Sequence, residues 1–196
     1  MCGQTMTFAA FKNDFVEAES HLLVQGDVLS FKSPEKDGVV LILQDGFIKS
    51  DQQAFKGEVQ KGKFHYLQAP FALTLSNDQD TPLPLLFITI KAKTHIGAGK
   101  ATLAGVPRHF HFFENDKIEA YRVHFRPGDT SGWHHHVRRG LAVVLDDGKM
   151  AMQELGAKPE QHDFRAGLLF WHPENLNHYL KNIGDHEIQI VDMEWK

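Results

Sequence analysis

The feature that most constrains the fold of this chain is a nine-residue pattern that occurs twice. Residues 38–46 begin with glycine, continue through a run of apolar residues and end in Asp-Gly. Residues 140–148 repeat this pattern later in the chain. An apolar run closed by Asp-Gly is typical of a β-strand that enters a tight turn. The chain is therefore expected to contain the same β-strand unit twice.

A second pair of matching positions supports this duplication. Gly62 and Asn77 have the same spacing as Gly167 and Asn182, and a β-rich run follows each pair. Because both matches occur in the same order along the chain, they indicate an internal repeat of one domain.

Short strand-like runs separated by turn residues fill most of the chain. Runs such as 28–31 and 118–125 are interrupted by Gly, Pro and Asp-Gly positions. Only residues 5–21, with apolar side chains that include Phe8 and Phe11, are compatible with a short amphipathic helix or an irregular arm. The pattern as a whole predicts an all-β protein of barrel architecture.

Composition and charge exclude several classes of function. The 196 residues carry 21 basic and 25 acidic side chains, a net charge of −4 that does not favour nucleic acid as a partner. Cys2 is the single cysteine, which excludes an intrachain disulfide and suits a reducing compartment. No apolar run reaches the length of a membrane span, and residues 1–15 lack the pattern of a secretory signal. We therefore expect a cytoplasmic protein that binds neither nucleic acid nor membrane.

Histidine is concentrated in the second half of the chain, and three histidines are consecutive there. Successive side chains of a strand point to opposite faces, so His134 and His136 share one face while His135 takes the other. His178 supplies a third imidazole from a second strand-like run. Two imidazoles from one strand and one from a neighbour predict a metal site with open positions. The alternative is that the three consecutive histidines form a hydrated surface loop and that His178 is a strand residue with satisfied hydrogen bonds.

These histidines carry a resemblance to the cupins, a family of small β-barrel proteins. The first cupin motif, G-x5-HxH-x3/4-E-x6-G, is matched at Gly128, His134 and His136. Its acidic residue is absent, because Gly140 and Leu141 stand at that position. The departure leaves the barrel expectation intact but removes the acidic ligand from the usual metal site of the family.

The second cupin motif, G-x5-P-x-G-x2-H-x3-N, is matched in spacing. Its glycine, proline, histidine and asparagine correspond to Gly167, Pro173, His178 and Asn182. Asn175 stands in place of the second glycine.

The resemblance implies two tandem cupin barrels, which are double-stranded β-helix or jelly-roll domains. Residues 1–95 would form the first barrel, residues 106–196 the second, and the small-residue segment 96–105 the linker. The first barrel would lack metal ligands, since Leu73 stands where the second barrel has His178. The resemblance also implies a homodimer.

Three histidines without an acidic ligand imply one divalent metal ion held by neutral groups only. Imidazole suits Fe, Mn, Ni, Cu and Zn, and the sequence does not choose among them. The uncompensated charge of the ion favours an anionic or enolate-forming small molecule. Arg138 is a candidate to hold a substrate carboxylate if the histidine strand continues that far, and Tyr179 is a second candidate in the pocket. The alternatives are a rim charge for Arg138 and core packing for Tyr179.

Cupins include dioxygenases, isomerases, decarboxylases and ligand sensors, so the fold does not settle the function. The missing acidic ligand favours a small-molecule metalloenzyme of the dioxygenase kind, with no catalytic residue assigned. The alternative is a non-catalytic bicupin that binds a small ligand or serves as an interaction module. The lack of an evident acid–base residue around the three histidines supports this alternative.

Three further histidines have open roles. His109 and His111 form a second His-x-His without a third partner, which favours a partly exposed strand edge over a pair of ligands. His172, just before Pro173, is a candidate spare ligand or proton shuttle, with a plain turn residue as the favoured alternative.

Overall fold

The computed structural model describes residues 6–91 and 103–196, and the regular secondary structure of these residues is β-strand apart from one short 3-10 turn. The all-β prediction is therefore confirmed. The chain divides into two compact units, residues 1–92 and 93–196. Because residues 96–102 of the expected linker lie outside the described residues, the bounds of the linker and of the two barrels stay a prediction. No helix long and apolar enough to cross a membrane occurs in the described part of the chain.

The first unit contributes nine described strands and a short 3-10 turn, Gln53–Phe55. The strands are β1 (Met6–Lys12), β2 (Val16–Leu23), β3 (Val28–Ser33), β4 (Gly38–Ile42), β5 (Gly46–Ser50), β6 (Gly57–Val59), β7 (Phe64–Leu67), β8 (Phe71–Ser76) and β9 (Leu83–Ile90). They form two sheets, with strand orders β1-β2-β9-β4-β7 and β3-β8-β5-β6.

The second unit repeats this plan. Its described strands are β10 (His109–Glu114), β11 (Ile118–Phe125), β12 (Thr130–His136), β13 (Gly140–Val144), β14 (Gly148–Glu154), β15 (Glu160–Phe164), β16 (Leu169–His172), β17 (Leu176–Asn182) and β18 (Ile188–Trp195). The sheet orders are β10-β11-β18-β13-β16 and β12-β17-β14-β15. Each strand therefore has the neighbours of the strand nine places earlier. The two nine-residue patterns begin β4 and β13, which are equivalent strands, so the predicted duplication is confirmed.

The asparagines of the second sequence match have the same structural role in the two units. Asn77 accepts the backbone N–H of Gly26 on its carbonyl oxygen at 2.7 Å, and Asn182 accepts that of Gly128 at 3.0 Å. Both glycines have positive φ, of 82° in each case, a region that favours glycine. These contacts show that Gly26 is equivalent to Gly128, and Asn77 to Asn182, in the two units.

The expectation of a helix or irregular arm over residues 5–21 is wrong for the described residues. β1 and β2 form an antiparallel hairpin in which Ala10 lies opposite Glu19 and Phe11 opposite Ala18. β2 pairs with β9 along its whole length, from Val16 to Leu23. Because apolar spacing over so short a segment fits more than one structure, the sheet partner decides which structure forms.

Each unit has its own apolar core, drawn from both of its sheets. In the second unit the core cluster includes Phe125, Val144, Met150, Phe164 and Ile188. Burying one such side chain contributes about 1.5–3 kcal/mol to folding. The cores hold the strands that carry the histidines in a fixed register.

Candidate metal centre

The candidate site lies on the antiparallel pair β12 and β17. His134 is directly opposite His178 in the register of this pair. His136 is two residues further along β12 and faces the same way. His134 and His136 are buried, whereas His135 between them is exposed. This confirms the predicted alternation of the three consecutive histidines.

A β-bulge at Ser131 determines which face these histidines take. The register of β12 against β17 shifts between Thr130 and Gly132. The buried hydroxyl of Ser131 accepts a hydrogen bond from the backbone N–H of Leu180 at 3.0 Å and donates one to the carbonyl of Gly132 at 2.8 Å. Because a shift of one residue reverses the face of every following side chain, the bulge places His134 inside the barrel.

The Nε2 atoms of the three histidines converge. They are 3.1 Å apart between His134 and His136, 3.0 Å between His136 and His178, and 2.9 Å between His134 and His178. Ligands at about 2.1 Å from an ion lie roughly 3.0 Å apart when they subtend right angles, but roughly 3.4 Å apart in a tetrahedron. The observed separations match three adjacent corners of an octahedron. Such a triad would leave part of the coordination sphere of a bound ion open.

These imidazoles are in the neutral form, which is the form that binds a cation. Nδ1 of His134 lies 3.2 Å from the carbonyl of Gly132, which can only accept, so the proton is on Nδ1 and the lone pair on Nε2. Burial, with the nearby histidines, lowers the pKa of His134 to about 4 and that of His178 to about 3. The imidazoles are therefore neutral at neutral pH, and their clustered Nε2 atoms have the donor chemistry of a divalent metal site.

Two carboxylates on β18, Asp192 and Glu194, were missed by the sequence analysis. Oε1 of Glu194 lies 2.9 Å from Nδ1 of His136, the contact that orients a ligating histidine in many metal sites. Burial and the charge of Asp192 raise the pKa of Glu194 to about 8. A cation held by His136 would favour the ionised form of this carboxylate. The available signal was a pair of acids two residues apart in a strand that, apart from Gln189, is otherwise apolar.

Asp192 contacts His172, and the lack of a side chain at Gly140 leaves space for the imidazole of His172. Nε2 of His172 lies 3.2 Å from Oδ1 of Asp192. Burial opposes ionisation of Asp192, but His172 and the other nearby histidines hold its pKa below the ordinary value. His172 lies opposite Gly140 in register, and a Cβ added at Gly140 would lie 2.2 Å from its Nε2. The imidazole of His172, which ends β16 rather than occupying a turn, thus takes the space beside the position of the missing acidic residue.

A cavity of about 140 Å³ adjoins the cluster. His136, His172, His178 and Asp192 contribute to its lining. Most of the remaining lining is apolar and comes from both sheets of the unit, with Phe164, Phe170, Leu180 and Ile190 among the side chains. The site therefore combines a polar cluster with an apolar chamber, as in many small-molecule sites.

Solved structures of other proteins have a fold similar to that of this chain. AerE from Microcystis aeruginosa matches with a TM-score of 0.72 and 10% identity, over 98% of this chain and 97% of that chain. A cupin 2 conserved barrel domain protein from Leptotrichia buccalis matches with a TM-score of 0.64 and 14% identity, over 100% and 91%. The chain has the fold of a bicupin.

A third similar structure is a variant of salicylate 1,2-dioxygenase from Pseudoaminobacter salicylatoxidans in complex with gentisate. It has a TM-score of 0.65 and 9% identity, over 92% of this bicupin and 69% of that chain. No protein-family model and no curated protein sequence matches the bicupin. The likeness at these identities concerns the fold alone.

Arg138 and Tyr179, the two candidate substrate-binding residues, lie apart from the cavity lining of the bicupin. β12 ends at His136, so the strand continuation expected for Arg138 does not occur. The guanidinium of Arg138 instead makes a buried ion pair with Glu119 at 3.0 Å. The half-buried ring of Tyr179 lies 5.9 Å from that of Trp133. Their role in substrate binding stays a prediction.

The second His-x-His of the bicupin is split between two environments. It lies on β10, which is an edge strand as expected. His109 lines the cavity, and its ring centroid is 4.9 Å from that of His134. His111 is exposed, with Nε2 at 3.7 Å from Glu114. Sequence spacing thus did not distinguish His109, which lies beside a candidate ligand, from its exposed neighbour His111.

Proposed function

We propose that this bicupin binds one divalent metal ion on His134, His136 and His178, and that it is a metalloenzyme acting on a small molecule. The observation that carries the proposal is the convergence of three buried Nε2 atoms within 3.1 Å of one another. Iron, manganese, nickel, copper and zinc all suit imidazole ligands. The ion, when bound, supplies a Lewis acid whose positive charge no ligand neutralises, with positions open for substrate.

The reaction class that this arrangement supports best is oxygenation of an anionic or enolisable substrate. Three neutral ligands favour an anionic oxygen of the substrate at the open positions. Glu194 orients His136, and the apolar wall excludes water from the reacting atoms. The similar fold of a salicylate 1,2-dioxygenase is consistent with this class but is shared with other chemistries. A homodimer and a cytoplasmic location remain part of the proposal.

The test begins with the metal content of protein purified without added metal. We expect one ion per chain in the native protein and a loss of the ion in the His178→Ala variant. His135→Ala is the matched control, since His135 neighbours two candidate ligands but is exposed. Equal metal content in the His178→Ala and wild-type proteins would contradict the proposed site.

Catalysis is tested separately with an oxygen electrode. The iron-loaded protein is screened with thiols, β-diketones and small keto acids, and we expect oxygen consumption with one class. Bound metal without oxygen consumption, together with ligand binding that persists in His178→Ala, would instead favour the non-catalytic binding module.

A further inference from the structure

The size of the cavity limits what the bicupin can bind. Its volume is about 140 Å³, close to the roughly 150 Å³ of an apolar cavity that accommodates benzene. A single six-membered ring with small substituents, or an enolisable molecule of that size, fills such a space.

The charges of the lining limit the ligand further. The ionisable residues that line the cavity are histidines and the two acids Glu154 and Asp192, with no lysine or arginine in the lining formed by the described residues. A ligand carboxylate away from the histidines would lose part of its hydration and gain no lysine or arginine as a partner. The cavity therefore selects against a second anionic group.

Three buried imidazole nitrogens of lining residues have no hydrogen-bond partner within the described structure: Nε2 of His162, Nδ1 of His172 and Nδ1 of His178. Of these, the nitrogen of His172 is the one whose protonation state a neighbouring carboxylate fixes. The side chain of His172 is 9% exposed and its Nε2 faces Asp192 at 3.2 Å, whereas its Nδ1 makes no hydrogen bond within the described structure. A carboxylate accepts, so Nε2 carries the proton, and Nδ1 of the neutral imidazole is then an acceptor. A buried acceptor without a donor is unfavourable, and a hydroxyl of the ligand would satisfy it.

From these three observations we infer the ligand class of the site, an inference that rests on the proposed metal site. The ligand is a ring-sized, largely apolar molecule with one metal-binding oxygen, a neighbouring hydroxyl that donates to Nδ1 of His172, and no second anionic group. His172 is then a specificity-determining residue that contacts the ligand. Gly140 and Asp192 position it.

The ligand class is tested on the wild-type protein loaded with zinc, which is redox-inert and prevents turnover. Titration calorimetry compares catechol with 3,4-dihydroxybenzoate, which adds one carboxylate to the same ring. We expect catechol to bind at least roughly tenfold more tightly, the ratio that one unsatisfied buried group produces. Equal affinities would overturn the inference.

The role of His172 is tested by a double comparison with catechol and guaiacol, the monomethyl ether that lacks one donor. His172→Ala should weaken catechol binding roughly tenfold and guaiacol binding less than twofold. His172→Gln, which keeps an acceptor oxygen, should recover part of the loss, and His111→Ala, on an exposed histidine, should change neither ligand. Equal losses for the two ligands would overturn the hydrogen bond to Nδ1, since an effect on zinc chelation or folding does not distinguish them in this way.

The metal site and the ligand class can be overturned by different results. Absence of bound zinc in the wild-type protein would overturn the proposed function and, with it, the ligand class. Stoichiometric zinc with no preference for catechol would overturn the ligand class and leave the metal site standing. Circular dichroism of each variant shows whether a loss reflects unfolding, and the wild-type ligand comparison needs no variant.

Discussion

The two barrels of this bicupin share their strand order but fill their interiors differently. In the first barrel Leu73 lies opposite Phe31, and at the equivalent positions of the second barrel His178 lies opposite His134. Leu73 and Phe31 belong to the apolar core of the first barrel. The fold therefore forms without histidines at these positions, so the polar cluster of the second barrel points to a function.

The difference extends to the positions around the candidate ligands. Phe87, opposite Val40, is equivalent to Asp192, and Leu67, opposite Gly38, is equivalent to His172. In the first barrel the rings of Phe31 and Phe87 stack at 4.0 Å. Apolar packing there replaces the ionic and hydrogen-bonded contacts of the second barrel.

The polar interior comes at a cost in stability. The second barrel buries polar atoms without hydrogen-bond partners, among them Nδ1 of His172 and of His178 and Oε2 of Glu194. Each such atom destabilises a folded protein by about 1–3 kcal/mol. A bound cation and ligand would offset part of this loss in stability. Apolar residues at the same positions would avoid the loss.

The largest expected effect comes from giving the second barrel the residues of the first. The double substitution His134→Phe and His178→Leu should abolish metal binding, because it leaves one of the three candidate ligands. It should also stabilise the metal-free protein by about 1–4 kcal/mol, the range for replacing buried polar groups with apolar ones. Equilibrium dialysis and urea unfolding measure the two effects. Retained metal at wild-type stoichiometry would remove the basis of the comparison.

The reverse exchange should break the first barrel. Leu73 is 1% exposed and packed in the core, so Leu73→His loses apolar contacts and buries an imidazole without partners. We expect a loss of about 2–5 kcal/mol in the free energy of unfolding. Thr74→His, on the adjacent half-buried residue, should cost less than about 1 kcal/mol. Similar losses for the two variants in chemical denaturation would show that the apolar filling is not required.

Substitution of the equivalent glycines Gly140 and Gly38 compares the two barrels through a smaller change in stability. A Cβ at Gly140 would lie 2.2 Å from Nε2 of His172 and 2.6 Å from the backbone oxygen of Met193, whereas one at Gly38 would approach only phenylalanine rings, at 3.1 Å. We expect Gly140→Ala to destabilise by about 2–3 kcal/mol and Gly38→Ala by about 1 kcal/mol or less, both measured by urea unfolding.

Adding His172→Ala to Gly140→Ala provides the control for this pair. It should restore only part of the stability, because the backbone oxygen of Met193 remains in place. Full restoration would mean that the imidazole of His172 is the whole obstacle at this position.

The smallest expected effect is a dependence of stability on pH in the metal-free protein. The folded-state pKa values of His134 and His178, about 4 and about 3, lie below the ordinary 6.5. The unfolded chain then binds more protons below pH 6.5, so the contribution of these residues is complete above that pH and is lost as the pH falls toward 4. The pKa of Glu194 is raised from 4.5 to about 8. Between these values the folded protein binds more protons at Glu194 than the unfolded chain does, so the contribution of Glu194 to stability increases as the pH falls.

Urea midpoints of chelator-treated protein at pH 7 and pH 5 measure this effect. The wild-type midpoint should fall more on acidification than that of the His134→Phe, His178→Leu variant, in which only the opposing contribution of Glu194 remains from these three residues. An equal fall in the two proteins would assign the acid sensitivity to other groups.

The sequence by itself determined those features that depend on local periodicity and repeated spacing. The two-residue period of a strand placed His134 and His136 on one face, and the repeated pattern at 38–46 and 140–148 indicated two copies of one β-domain. These inferences needed no knowledge of strand neighbours. They concern residues close together in the chain or copies of the same pattern.

The tertiary structure decided which side chains surround the histidines. Sheet pairing brought Asp192 and Glu194 to the cluster, placed His172 in the space above Gly140, and paired Arg138 with Glu119. These contacts depend on the order and register of strands far apart in sequence, and a one-residue bulge changes that register. Local patterns carry no information about such long-range pairing. The shared face of His134 and His136 was therefore predictable, while the surroundings of these histidines were not.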